Sequence, residues 1–185
     1  MLGSTQINQN RLSLAGLMSA TSREVDHVMN HDIDFMREAI ELSRDNIRAN
    51  RGGPFGAVIV KDDKIVGRGA NRVTANNDPT AHAEVEAIRD ACRQLGNFIL
   101  NGCAIYTSCE PCPMCLTAIY WARIEKIFYA TTQHDAASID FDDAFLYEQI
   151  VLERDQRALP CIPLLRHEAI AVFEEWRHKA DKISY

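Results

Sequence analysis

Two short motifs constrain this chain more than any other feature: His82-Ala83-Glu84, and Pro111-Cys112-Pro113-Met114-Cys115 downstream of it. Cys112 and Cys115 are three residues apart, so on a helix their thiols share one face. His82 and Glu84 are two apart and share no helix face. They converge on one point only where a helix begins and its first turn looks out over the end. The fold therefore has to deliver two helix starts to a common place. Both starts are signalled. Asp78-Pro79-Thr80 is a turn, Thr80 is a fitting N-cap, and residues 81–96 are expected to form a helix stopped by Gly96. Pro111 precedes or opens a second helix, because its missing N–H would be unpaired there anyway. Cys112 then lies at the positive end of a helix dipole, which favours the thiolate.

A thiolate pair with one imidazole is a zinc ligand set. Three ligands, His82, Cys112 and Cys115, leave the fourth tetrahedral position open for water, which separates a catalytic site from a structural one. Glu84 is then a carboxylate that contacts the water without binding the metal. A closed site using Cys109, His82, Cys112 and Cys115 is the alternative, since Cys109 lies three residues before Cys112. Against it, Cys109 precedes Glu110-Pro111 at an expected strand end, and a closed site leaves Glu84 without a task.

The 185 residues are enough for one domain with a full core. A net charge of −6 and the lack of any basic run argue against nucleic acid as the partner. No stretch approaches the roughly 20 apolar residues of a membrane span. The six cysteines cluster around the metal motif with no secretory signal, which favours a reducing compartment, the cytoplasm, over a disulfide framework. Cys92, Cys103 and Cys161 are expected as small buried hydrophobes. Tyr120 and Trp121 are expected to pack inside. Residues 1–28 differ from the rest: no Asp or Glu occurs before Glu24, and Ser, Leu, Asn and Gln dominate. They are expected to be a disordered N-terminal extension, ahead of a single domain over residues 29–185.

Hydrophobic periodicity predicts a helix over residues 34–50 and a buried strand over 55–60. A hairpin turn at Lys61-Asp62-Asp63-Lys64 leads into a second strand over 65–70. Further strands are expected over residues 104–107, 126–130 and 159–165. Helices are expected to follow Pro111 and to cover residues 144–152 and 168–182, and residues 131–143 are expected to be a loop. A hairpin followed by α-β units gives an α/β fold, a mixed five-stranded sheet with helices on both faces.

With these residues in view, the chain resembles the cytidine deaminase-like superfamily of zinc enzymes, whose signature is H-x-E followed by P-C-x-x-C. More narrowly, it is similar to the bacterial guanine deaminases. The resemblance rests on Asn77-Asp78-Pro79-Thr80-Ala81-His82-Ala83-Glu84, Ser108-Cys109-Glu110-Pro111-Cys112-Pro113-Met114-Cys115, Ile119-Tyr120-Trp121-Ala122-Arg123, and Phe141-Asp142-Asp143. It implies a three-layer α/β/α sandwich, one catalytic Zn2+, and a homodimer whose C-terminal segment completes the partner's site. It also implies a small purine substrate. Phe55 would stack on the base, Asn71 contact the ring or its oxygen, Asp143 accept from guanine N–H groups, and Tyr185 enter a site. From the residues alone, Phe55 is equally a core residue, Asn71 a turn residue, Asp143 a helix cap and Tyr185 a frayed terminus. Ile139-Asp140 stands where a small residue and glycine are expected, so that loop is expected to differ in shape.

The implied reaction is hydrolysis of guanine to xanthine and ammonia. Metal-activated water attacks C2, and Glu84 shuttles the protons. A guanosine deaminase shares every catalytic part. A tRNA adenosine deaminase shares the metal motif but needs a basic face. Cytidine deamination fits the flanking motifs less well, and a zinc-binding module without catalysis would release no ammonia from any amino-purine.

Overall fold

The computed structural model describes residues 22–184. Helix α1 (Ser22–Arg48) starts before the expected residue 34, so residue 29 falls inside it. Residues 1–21 lie outside the described residues. Strands β1 (Gly56–Lys61) and β2 (Lys64–Ala70) form the expected antiparallel hairpin. Asp62 and Asp63 turn it with φ of 48° and 55°, the left-handed pair that matches strand twist in a two-residue hairpin. After a short helix α2 (Val73–Asn76) come α3 (Ala83–Leu95), β3 (Cys103–Cys109), α4 (Pro113–Trp121) and β4 (Lys126–Thr131). Helices α5 (Gln133–Ala137), α6 (Ala144–Val151) and α7 (Arg166–His178) follow.

The described strands form one four-stranded mixed sheet in the order β2-β1-β3-β4. Strand β3 pairs antiparallel with β1 and parallel with β4. A parallel pair needs a long crossover, and α4 supplies it. Alternate β1 residues face opposite layers, as the two-residue period of a strand requires. Ala57 and Ile59 pack with Ala83, Ala87, Ile105 and Ile119 on one face, while Val58, Val60 and Tyr106 meet Phe35, Met36 and Leu42 on the other. The result is the expected three layers, with α1 on one side and α3 on the other. The α3 layer lies very close. A Cβ at Gly69 would sit 2.1 Å from the Ala83 carbonyl oxygen, so only glycine allows the start of α3 to press onto β2.

Three expectations change. The fifth strand, over residues 159–165, is absent among the described residues: the segment is irregular and exposed. Pro160 and Pro163 each lack the N–H a strand ladder requires. Residues 131–143 are not simply a loop, because Thr132 and Asp135 form a reciprocal capping box that starts α5. Finally, Cys161, Tyr120 and Trp121 are exposed, Tyr120 by 68% and Trp121 by 64%, so none of the three is a core residue. Among the described residues no helix is long and apolar enough to cross a membrane.

Candidate active site

His82 is the N-cap of α3, with extended φ and ψ of −72° and 158°, and Glu84 is the helix's second residue. The cap therefore lies two residues beyond Thr80, whose own N–H and hydroxyl bind Asp78 Oδ1 within the preceding turn. Cys112 is likewise the N-cap of α4, with φ and ψ of −63° and 167°; Pro113 opens the helix and Cys115 is its third residue. Both helix starts meet at the same place, as the motif spacings demand. Their positive dipole ends favour anionic ligands there.

His82, Cys112 and Cys115 offer ligand atoms that all lie within 4.8 Å of one another. The Nδ1 of His82 stands 3.6 Å from the Cys112 sulfur and 3.5 Å from the Cys115 sulfur. Zinc bonds of about 2.3 Å to sulfur and about 2.05 Å to nitrogen at tetrahedral angles set that separation at about 3.6 Å, so the trio fits zinc. The hydrogen bond shared with Cys115, helped by His82, lowers the Cys112 thiol to about 4, a thiolate at neutral pH. Cys115 is pushed up by the same bond and by burial. Cys109 does not join them. It ends β3, and its sulfur donates to the Thr132 carbonyl at 3.6 Å, which speaks against a closed four-ligand site.

Glu84 is buried, 6% exposed, beside the trio but outside it. Burial raises its pKa, and the Thr107 hydroxyl lies 3.4 Å from its Oε1. A carboxylate in this environment holds a proton more readily than one in water, which suits a group that must accept a proton and return it.

These residues open on a cleft of about 460 Å³, within the usual range for small-molecule sites. Phe55, Asn71 and Asp143 line it, as expected. Phe55 also packs against the core, so one ring serves both the core and the cleft. Asn71 is 5% exposed, and its Oδ1 accepts the N–H groups of Gly53 at 3.2 Å and Val73 at 3.3 Å. Asp143 makes no cap hydrogen bond with its side chain. Instead Asp142 Oδ1 accepts from Ala144 N at 2.9 Å, so Asp143 is not spent as a cap. Burial, then the neighbouring Cys112, raises the Asp143 pKa. Asp140 takes φ of 69°, the left-handed conformation expected of a glycine there and one that Asp tolerates better than most residues. Tyr185 lies outside the described residues.

Three contributors are not evident from the sequence. Phe141 stands edge-on to Phe55, with ring centroids 4.9 Å apart and planes at 89°. Glu110 Oε2 accepts the first N–H of α5 from Gln133 at 3.1 Å, fastening that helix to the end of β3. The Tyr147 hydroxyl donates to the Pro111 carbonyl at 3.3 Å, which ties α6 to the approach of the cysteine helix. Phe141 and Glu110 stand in motifs that pointed to Asp143 and to the cysteines, and Tyr147 gave no signal.

The family model described as the cytidine and deoxycytidylate deaminase zinc-binding region matches residues 29–131. Guanine deaminase of Bacillus subtilis is 50% identical over 157 residues, 85% of this chain and 100% of that protein. The X-ray structure of guanine deaminase from Bacillus subtilis has a TM-score of 0.80, covering 82% of this chain and 97% of that chain. A guanine deaminase from Nitrosomonas europaea is 33% identical with a TM-score of 0.56, covering 60% of this chain and 64% of that chain. The tRNA-specific adenosine deaminase of Aquifex aeolicus is 47% identical over 77 residues, 42% of this chain and 51% of that protein.

Proposed function

The chain belongs to the cytidine and deoxycytidylate deaminase family, and from that premise we propose that it hydrolyses guanine to xanthine and ammonia. One observation carries the choice of substrate. The likeness to guanine deaminase runs the full length of that protein at 50% identity, while the likenesses to tRNA-specific adenosine deaminases cover between 51% and 68% of theirs. The motif is common to both, so the remainder of the chain makes the difference. The acidic balance, −6 overall, also suits a small base better than an RNA.

Zinc is the cofactor, and His82, Cys112 and Cys115 would hold it. It supplies Lewis acidity that makes a coordinated water acidic near neutral pH. Glu84 takes a proton from the attacking water and delivers it to the ring nitrogen beside C2 as the new C–O bond forms. It then carries the remaining hydroxyl proton to the amine, and ammonia leaves as C2 becomes a carbonyl. One water is consumed and one ammonia released. The raised pKa of Glu84 supports this double use. Phe55 and Phe141 would form an apolar wall for the base, Asn71 would donate to it, and Asp143 would accept from its N–H groups.

The working unit in this reading is a homodimer that exchanges C-terminal segments and brings Tyr185 into a site. No described residue from 144 to 184 is buried, and Leu159, Ile162 and Leu164 are 77%, 84% and 83% exposed. A segment that apolar is suited to a covering surface beyond its own domain. Residues 1–28 precede the family match and would be an extension of a cytoplasmic enzyme.

Zinc-loaded protein offered guanine, guanosine, adenine, cytidine and cytosine in parallel tests the substrate. Ammonia released fastest from guanine, with xanthine as co-product, is the expected result. Guanine inert while another base or nucleoside is rapidly consumed would overturn the reading.

A further inference from the structure

Asn71 can serve a substrate only if its amide is turned the right way, and its neighbours fix that turn. Its oxygen is committed to two backbone N–H groups, those of Gly53 and Val73. Only oxygen can accept from an N–H, so the NH2 group is the part left to the cleft. The two backbone partners come from opposite sides: Gly53 from the loop before β1, Val73 as the first residue of α2. Something must hold that loop against Asn71.

Asn46, on α1, occupies that position. It is 3% exposed, and its Nδ2 donates to the Gly53 carbonyl at 2.9 Å and to the Asn71 carbonyl at 2.8 Å. Its Oδ1 accepts from Arg72 Nη1 at 2.8 Å. A guanidinium is donor-only, so the Asn46 amide cannot reverse without facing donor to donor and carbonyl to oxygen. Arg72 in turn donates its backbone N–H to the Ala81 carbonyl at 2.8 Å, immediately before the metal ligand His82. Contact at the neighbouring residue is equally close. A Cβ at Gly52 would lie 2.3 Å from the Asn71 carbonyl oxygen.

We propose that Asn46, oriented by Arg72, is a positioning residue: it clamps the Gly53 loop to Asn71 and thereby fixes the Asn71 amide as a hydrogen-bond donor to an acceptor atom of the purine. This rests on the purine reading above. Asn46 touches no substrate and acts only through Asn71.

A double-mutant cycle tests it on the full-length, zinc-loaded protein, reading the dissociation constant for 8-azaguanine and, separately, kcat and KM for guanine. Asn46→Asp keeps an acceptor for Arg72 but loses both donor bonds. Asn46→Asp and Asn71→Ala should each weaken 8-azaguanine binding by about ten-fold, the equivalent of one lost hydrogen bond. KM should rise more than kcat falls, and the double variant should bind no more weakly than the poorer single one. Full additivity in the cycle, or wild-type affinity in Asn46→Asp, would overturn the role. Should Asn46→Asp not fold, Arg72→Met leaves the Asn46 donors in place but frees the amide to reverse. It should give a smaller loss with the same coupling to Asn71→Ala, and additivity there would equally overturn it. Wild-type protein that binds no 8-azaguanine and leaves guanine intact would defeat the purine reading and this inference together. Additivity in a wild type that does both defeats this inference alone.

Discussion

Residues 56–131 and residues 144–184 follow opposite rules of burial. In the first region Ala57, Val58, Ile59, Ile105 and Cys115 are 0% exposed. In the second no described residue is buried, and Ile162 and Leu164 are more than four-fifths exposed. Both regions are rich in apolar side chains, so composition does not separate them. The first closes a sheet between α1 and α3 and brings two helix starts together within its own domain. The second meets the rest of the chain mainly at the rim of the cleft, where Tyr147 reaches Pro111. His82, Glu84, Cys112 and Cys115 thus all belong to the region with a buried core, while the exposed region contributes Leu146 to the wall of the cleft.

The sharpest way to separate the regions is to damage the first at its metal. Cys115→Ala removes a fully buried thiol of the His82, Cys112 and Cys115 trio. Zinc content should fall from one per chain to near none, and xanthine formation should fall to background, as measured by elemental analysis and a guanine assay. A zinc-replete, active Cys115→Ala would mean that the trio is not the metal site.

Damage to the second region should look different. Phe173 and Trp176 are exposed by 70% and 46% on α7. Changing both to Glu should weaken self-association by roughly 30-fold, as loss of about 2 kcal/mol at an aromatic contact would. Turnover should drop with it, while zinc content and the melting temperature of the dilute protein stay near wild type. Sedimentation at graded concentration reads the association. An unchanged oligomeric state would mean that α7 takes no part in self-association.

A smaller effect distinguishes the open site from the closed one. Cys109→Ser replaces a buried thiol that donates to the Thr132 carbonyl with a smaller hydroxyl and should cost about 1 kcal/mol of stability. Zinc content should not change. Loss of zinc from this variant would restore the four-ligand alternative.

Much of the first region was legible because its constraints are local. The i, i+3 cysteines and the i, i+2 His-Glu pair each allow one geometry, and helix starts are marked by proline and turn residues. The caps fell within two residues of expectation. Residues 159–165 read as a strand by their apolar run, but Pro160 and Pro163 withhold the N–H groups a ladder needs. The short helix at Gln133 was signalled by Thr132 and Asp135, a capping pair at the correct spacing. Asn46 was not legible at all. A helical Asn is ordinary in sequence, and its partners Gly53, Asn71 and Arg72 meet it only once α1 lies across the hairpin. Tyr120 and Trp121 misled for a related reason: aromatic residues on a helix suggest burial, but both lie on the exposed side of α4.

Guanine hydrolysis at this site requires above all that Glu84 carry protons without holding the metal. Wild type and Glu84→Gln, loaded identically and assayed side by side for bound zinc and for xanthine formed from guanine, test this directly. Both proteins should hold one zinc per chain, and turnover should be lower by about 10²–10⁴-fold in the variant, the usual weight of a general acid–base. Glu84→Gln turning over guanine at a rate near wild type, or losing its zinc, would contradict that role.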